Sequence, residues 1–446
     1  MPDRLPENRS ETAFGDYKLP LAREQAMVEA NRCLFCADAP CIKACPTRID
    51  IPQFIRKIST DNVKGSARTI FESNILGMSC ARVCPVEVLC VGACVYNHQD
   101  APPIQIGKLQ RYATDAAFEK GWRFFEAGAD TGKSVGLIGG GPASLAAAHE
   151  LRRFGHRCTI YEKRSTLGGL NATGVAPYKM RADKALEEVE WVLGIGGIDV
   201  RLNVAVGEHV PLEALEQQHD AIFVGVGLGP DSMMNIPGAS LQGVHGAVEW
   251  IERMKVQHVA LTDVKHCVIV GGGNTAVDAV REARALGIPS VTMVYRGTHN
   301  AMPGYEHEWI AALTEGAKVQ WQTLPVAFEG DGHVQRVRCT RVDASKKPLA
   351  DSELTIDADL VLLAIGQSKL GQSLAGLSGL RVDQGRVLTD EHGFTGRRCW
   401  FAGGDCVNGG KEVVNAAAEG KAAAGAIHAF LSQNPAGATD AGSSHG

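Results

Sequence analysis

Eight of the thirteen cysteines fall between residues 33 and 94, in two blocks: Cys33, Cys36, Cys41, Cys45, then Cys80, Cys84, Cys90, Cys94. The first block reads C-x2-C-x4-C-x3-C-P and the second C-x3-C-P-x4-C-x3-C, with Pro46 and Pro85 directly after a cysteine. Short spacings punctuated by Cys-Pro suit iron–sulfur cubanes, because the backbone must turn tightly for several thiolates to reach one cluster. Eight thiolates would serve two four-iron clusters. Two other uses of the cysteines compete. A disulfide framework fits poorly, since no secretory leader is expected ahead of the block and a large nucleotide-binding chain follows. Structural zinc is the stronger rival, because Cys-x2-Cys knuckles also make tetrahedral sites. The remaining cysteines (Cys158, Cys267, Cys339, Cys399, Cys406) are scattered and are expected mostly as small core residues.

The rest of the chain gives electrons a reason to be there. Ser134 to Ser144 is an apolar strand that runs through Gly139 and Gly141 into Pro142, Ala143, Ser144 and an alanine-rich helix. Gly139 permits a tight turn, and Gly141 lets the backbone approach a pyrophosphate resting on the helix start. Ser144 stands where a third small residue is needed for packing. A second strand, 158–161, ends in Glu162, placed to accept hydrogen bonds from ribose hydroxyls. A second copy follows at Gly271, Gly273, Asn274, Thr275 and Ala276, but its second strand ends in Arg296 rather than an acid. An arginine there can pair with a 2′-phosphate or stack on adenine. The strands ending at Gly227 and Gly366 bracket the second copy, so a second nucleotide fold is expected to be inserted into the first. A last turn, Gly403, Gly404, Asp405, precedes a small-residue helix from about Val413, where Asp405 can bind a ribityl or ribose hydroxyl.

These features predict an α+β multidomain chain: an N-terminal α-helical iron–sulfur domain, then two Rossmann-like α/β nucleotide-binding domains. The expected division is 1–128 for the helical domain, 129–228 with 366–432 for the FAD domain and 229–365 for the NAD(H) domain. Residues 1–20 read as polar and extended, and 433–446 as a disordered Gly/Ser/Ala-rich tail. The 446 residues are 45% hydrophobic and 21% charged with net charge −5, so neither a nucleic-acid footprint nor a membrane anchor is expected. Clustered free thiols fit a reducing cytoplasm.

Taken together, Gly139–Ser144, Glu162, Gly168, Gly169, Leu170, Gly271–Ala276 and Gly403–Asp405 resemble the two-dinucleotide flavoprotein reductases. The double cysteine block narrows the resemblance to the group containing the glutamate synthase small subunit and dihydropyrimidine dehydrogenase. Cys36-Ala-Asp-Ala-Pro-Cys41, Leu76-Gly, Leu89-Cys90-Val-Gly and Ile104-Gln-Ile-Gly-Lys-Leu-Gln110 look most like the N-terminal part of dihydropyrimidine dehydrogenase, and the chain is similar to the electron-input subunits of its bacterial NAD-dependent form. The resemblance implies FAD on the first fold, NADH on the second and electron relay without an acid or base side chain. It also implies a heterotetramer with a partner carrying FMN, further clusters and the pyrimidine pocket. It implies one cluster on Cys33, Cys36, Cys41 and Cys94, and another on Cys45, Cys84, Cys90 and the side-chain oxygen of Gln110, with Cys80 spare. Spacing alone would have made Cys80 a ligand and Gln110 an exposed helix residue. NADPH-using relatives hold the 2′-phosphate with several basic residues; Arg296 alone favours NADH. The competing functions are the NADPH-dependent glutamate synthase small subunit, a stand-alone NAD(P)H diaphorase or ferredoxin-type reductase, and a zinc-organised scaffold.

Overall fold

A computed structural model describes residues 5–99, 101–370 and 379–433; the predicted tail from Asn434 onward lies outside them. Residues 23–119 form a helical unit. Its helices are short because the cysteines interrupt them, and each buries one face. Ile51–Ser59 starts at Asp50, whose carboxylate accepts from the Gln53 N–H at 3.1 Å, and it buries Ile51, Phe54, Ile55 and Ile58. Burying an aliphatic or aromatic side chain of that size contributes about 1.5–3 kcal/mol. The long helix Ile106–Glu119 crosses behind and carries Gln110.

Two parallel five-stranded sheets follow. In the first the order is Trp400–Ala402, Ala221–Val224, Ser134–Ile138, Arg157–Tyr161, Ile198–Arg201. In the second it is Val244–Gly246, Leu360–Leu363, His266–Val270, Ser290–Tyr295, Lys318–Trp321. All of the second sheet lies in sequence between two neighbouring strands of the first, so the second fold is inserted into the first. The central strands read as apolar runs because helices cover both faces of a parallel sheet. An antiparallel sheet of Thr323–Glu329, Arg336–Val342 and Pro348–Asp357, which the sequence reading did not anticipate, extends the insertion.

The helical unit packs directly on the first sheet's helices. Phe71, Phe118 and Phe124 surround Trp191 with ring centroids 4.6, 5.5 and 6.4 Å away. The helix Val413–Gln433 lies against Pro142–Arg153, and a Cβ on Gly420 would sit 2.1 Å from the Ala143 carbonyl oxygen. The N-terminal segment departs from the expected extended polar strand. Ser10–Ala13 is a 3-10 turn, Glu11 and Phe14 are buried, and the Ser10 N–H donates to the Gln257 carbonyl at 3.1 Å. Glu11 also accepts from the Ala182 N–H at 2.9 Å, while Asp16 pairs with Arg111 and the Lys18 Nζ donates to the Cys84 carbonyl at 3.0 Å, so this strap ties both nucleotide folds to the helical unit.

His149, on the helix after the first glycine turn, is 4% exposed and lies edge-on to Phe125 at 5.5 Å. Burial, then the charges of Arg153 and Lys421, push its pKa down to about 3. An unfolded histidine titrates near ~6.5, so this neutral imidazole contributes stability that is complete above that pH and lost as pH falls toward 3. His149→Gln is therefore expected to flatten the fall in melting temperature between about pH 6 and 4. An unchanged acid profile would show that His149 protonates in place.

Candidate functional site

Two glycine turns, one on each sheet, and the cysteine array define the site. At the first turn Gly139 has φ +94°, and a Cβ there would stand 2.6 Å from the Gly225 carbonyl oxygen. Only glycine fits that backbone contact. Beside Gly141 only the Gly169 Cα comes near, 4.0 Å from where a Cβ would stand, and Pro142 occupies the first helical turn, where no backbone N–H is needed. Glu162 is buried and grips the turn: its Oε2 accepts from the Gly140 N–H at 2.7 Å and its Oε1 from the Arg164 N–H at 2.8 Å. Each oxygen keeps a lone pair for a ribose hydroxyl. Gly169, with φ +53°, abuts Gly141, and Leu170 starts the short helix behind it. Ser144 is fully buried with no hydrogen-bond partner for its Oγ, which faces Gly225; its small size is what the packing uses.

The last turn meets the first. A Cβ on Gly404 would touch that of Ala143 at 3.0 Å, and the Gly404 N–H donates to Glu419 at 2.6 Å. Asp405 follows, its Oδ1 accepting from the Lys411 N–H at 3.2 Å; burial raises its pKa. At the second turn Gly271 has φ +144°, while Gly273 has nothing within 4 Å of its would-be side chain. The Asn274 side chain accepts from the Tyr305 N–H at 3.0 Å, and the Gly304 N–H donates to Gly272 at 3.0 Å, so the 302–305 loop lies across this turn. Thr275 and Ala276 open the helix Asn274–Ala285. Arg296 directly follows the strand whose Tyr295 ring lies against Gly272; it is exposed and makes no hydrogen bond or ion pair among the described residues. Open-sided glycines at helix starts, on two parallel sheets, fit dinucleotide phosphates.

The cysteines sort into neighbourhoods that cut across the two sequence blocks. Cys33, Cys36, Cys41 and Cys94 line one cavity with Ile51, Ile55, Ile104 and Ile106. Burial raises the Cys33 thiol and pushes Cys41 up to about 11, with neighbouring thiols of the same group adding to both. Cys90 is raised by burial and then by the neighbouring thiols Cys84, Cys45 and Cys41. Cys84 is raised well above its usual value by a hydrogen bond with Cys80 and by burial. Cys80 is itself buried, and its sulfur accepts from the Asn74 amide at 3.1 Å. Gln110 is 8% exposed, against the expectation from spacing, and its Nε2 donates to the Gly77 carbonyl at 2.8 Å. Among the described residues no three His, Cys, Asp or Glu side chains are gathered to hold a single metal ion. Thiols spread around an apolar cavity fit a cluster several atoms across, whose iron would reverse the high thiol pKa values.

Sequence reasoning missed Glu188. It sits on the helix Ala182–Leu193 of the first fold, wholly buried, yet its carboxylate accepts from the Met78 N–H (2.8 Å), the Ser79 N–H (3.2 Å) and the Ser79 hydroxyl. Burial pushes its pKa up to about 7 against the pull of those donors. Nothing local in sequence marks it, since its partners lie about a hundred residues earlier.

The fold and the site define the class: a flavin- and nicotinamide-type oxidoreductase with an iron–sulfur domain. Residues 133–420 match the pyridine nucleotide-disulphide oxidoreductase family, and the chain belongs to it. Residues 9–122 match the family described as dihydropyrimidine dehydrogenase domain II, 4Fe-4S cluster. The chain is 36% identical to the NAD-dependent dihydropyrimidine dehydrogenase subunit PreT of Escherichia coli K12, over 91% of this chain and 94% of that one. It is 31% identical to the same organism's glutamate synthase [NADPH] small chain, over 96% of each. FprA, a Mycobacterium tuberculosis oxidoreductase, shares the fold with TM-score 0.56 and 20% identity, covering 68% of this chain and 85% of its own. No helix among the described residues is long and apolar enough to cross a membrane.

Proposed function

We propose that this chain is the electron-input subunit of an NAD-dependent dihydropyrimidine dehydrogenase, working in the cytoplasm with a partner that carries FMN and the pyrimidine site and reduces uracil or thymine to the 5,6-dihydro product. The observation that carries the reading is the cavity walled by Cys33, Cys36, Cys41 and Cys94, in a helical unit packed directly on the first nucleotide fold. FAD and two [4Fe-4S] clusters, when bound, would turn a hydride from NADH into single electrons. In this reading Gly139–Ser144 and Glu162 hold the FAD pyrophosphate and ribose, and Gly169, Leu170, Gly404 and Asp405 orient the rest of that cofactor. Gly271–Ala276 seat the nicotinamide nucleotide. Cys33, Cys36, Cys41 and Cys94 bind one cluster; Cys45, Cys84, Cys90 and Gln110 bind the other, and Cys80, held by Asn74 and in contact with Cys84, is spare. The division into 1–128, 129–228 with 366–432, and 229–365 follows these roles, with residues 5–20 running between the helical unit and the nucleotide folds.

Arg296 is the one cation offered to a 2′-phosphate in this stretch, so NADH is the expected donor. Arg296→Ala is expected to lower kcat/KM for NADPH about tenfold or more, since a hydrogen bond to a charged group contributes about 1.5–3 kcal/mol, and to change that for NADH far less. Equal losses would remove Arg296 from the 2′ position. The reading itself is tested by purifying the tagged chain anaerobically from its host. One FAD, two clusters and a co-purifying flavoprotein are expected. A partner that turns over only with glutamine and 2-oxoglutarate would make the chain a glutamate synthase subunit, and fast reduction of artificial acceptors with no partner would make it a free-standing diaphorase.

A further inference from the structure

We infer that Glu188 is a positioning residue for the Cys84–Gln110 end of the cysteine array, fixing from the first nucleotide fold the backbone pivot Gly77–Ser79 that sets both. The inference rests on the proposed ligand set. Glu188 belongs to one fold, but every hydrogen bond its carboxylate accepts comes from the other, from the first residues of the helix Gly77–Val83. A carboxylate stripped of water persists where donors converge on it, and here three do. Cys80 lies in that helix and Cys84 directly follows it.

The other side of the pivot is Gln110. Its Nε2 is committed to the Gly77 carbonyl, and its Oε1 accepts no hydrogen bond among the described residues. The amide therefore turns its oxygen, the end able to bind iron, away from Gly77. Gly77 is hemmed in by the preceding helix, where a Cβ on it would lie 2.7 Å from Ile70 Cγ2. Asn171 adds a second tie: its Nδ2 donates to the Ser79 hydroxyl at 2.9 Å, and it stands two residues after Gly169, which abuts the first glycine turn. Its own Oδ1 is buried without a partner. The pivot thus connects the backbone of the first glycine turn to one end of the cysteine array. Losing a partner that orients a metal ligand typically costs about 10–100-fold in metal affinity.

The test uses the full chain, loaded and purified anaerobically, with Glu188→Gln, Ser79→Ala and Gln110→Ala. Glutamine keeps the shape of Glu188 but turns an NH2 toward the donors of Met78 and Ser79. E188Q is expected to alter the EPR signal of one reduced cluster and to speed its loss to a chelator about tenfold, with the other signal and FAD content unchanged. Q110A should alter that same signal, and S79A should move it less, in the same direction. Wild-type signals and loss rates in E188Q would overturn the inference alone. So would equal loss of flavin and both clusters, which marks a fold-wide defect. Iron for only one cluster in the wild-type chain would overturn the ligand set, and the inference with it.

Discussion

Gly271→Ala is expected to give a chain that keeps its flavin and iron, is reduced by dithionite, and is no longer reduced by NADH at a useful rate. Gly271 has φ +144°, and an added Cβ would lie 2.3 Å from the Ala364 carbonyl oxygen and 2.9 Å from its carbon. Both are backbone atoms, so no rotamer relieves the clash. The strands His266–Val270 and Leu360–Leu363 would have to part just where the turn must reach a pyrophosphate. Overpacking costs about 1–3 kcal/mol and a strained backbone adds about as much, so kcat/KM for NADH should fall at least about 100-fold. The first turn belongs to another sheet and is untouched. Stopped-flow reduction of the bound flavin reads the effect; a loss smaller than about tenfold would show that the nucleotide does not sit on this turn.

Lys179→Met is expected to be the most destabilising single change at the junction of the two nucleotide folds. Lys179 follows the first fold's glycine pair, while its partners are carried by the insertion: its Nζ lies 2.8 Å from Asp278 and 2.8 Å from Glu308. The side chains are only 12%, 14% and 8% exposed, and the Tyr178 hydroxyl also donates to Asp278. Burial alone would lower the pKa of Lys179, but the two carboxylates more than reverse that and raise it. Methionine keeps the length and strands both acids in the interior, which costs about 3–5 kcal/mol. The sign with pH follows. Lys179 holds its proton more tightly in the folded chain than in the unfolded one, so the deficit is complete at neutral pH and shrinks as pH rises past the ordinary lysine range near ~10.4. Thermal unfolding across that range measures it; a deficit under about 1 kcal/mol at pH 7 would mean that water reaches the pair.

What the sequence made legible follows from where function constrains the backbone. Gly139 and Gly271 are readable because no other residue adopts their φ beside a carbonyl. The central strands are readable because a parallel sheet covered on both faces leaves no polar alternation. The strap at 5–20 was not readable. Its polarity suggested solvent, but Arg9 pairs with Glu11 and with Asp183, and Ser10 with Gln257 and Val259, partners that only the folded chain brings near. Glu188 was hidden for the same reason, as was the antiparallel sheet Thr323–Asp357, whose last strand is mostly exposed. Cys80 and Gln110 show the limit of spacing: they lie on different helices, both are buried, and their partners, Asn74 for one and Gly77 for the other, are not written in the spacing.

Oxidation of NADH by the anaerobically purified chain with its partner, on addition of uracil, is the decisive measurement. Uracil-dependent oxidation of NADH, faster than that of NADPH and lost when the partner is stripped away, is the expected result. A complex that oxidises NADH just as fast without any pyrimidine, or answers only to glutamine and 2-oxoglutarate, would contradict the account.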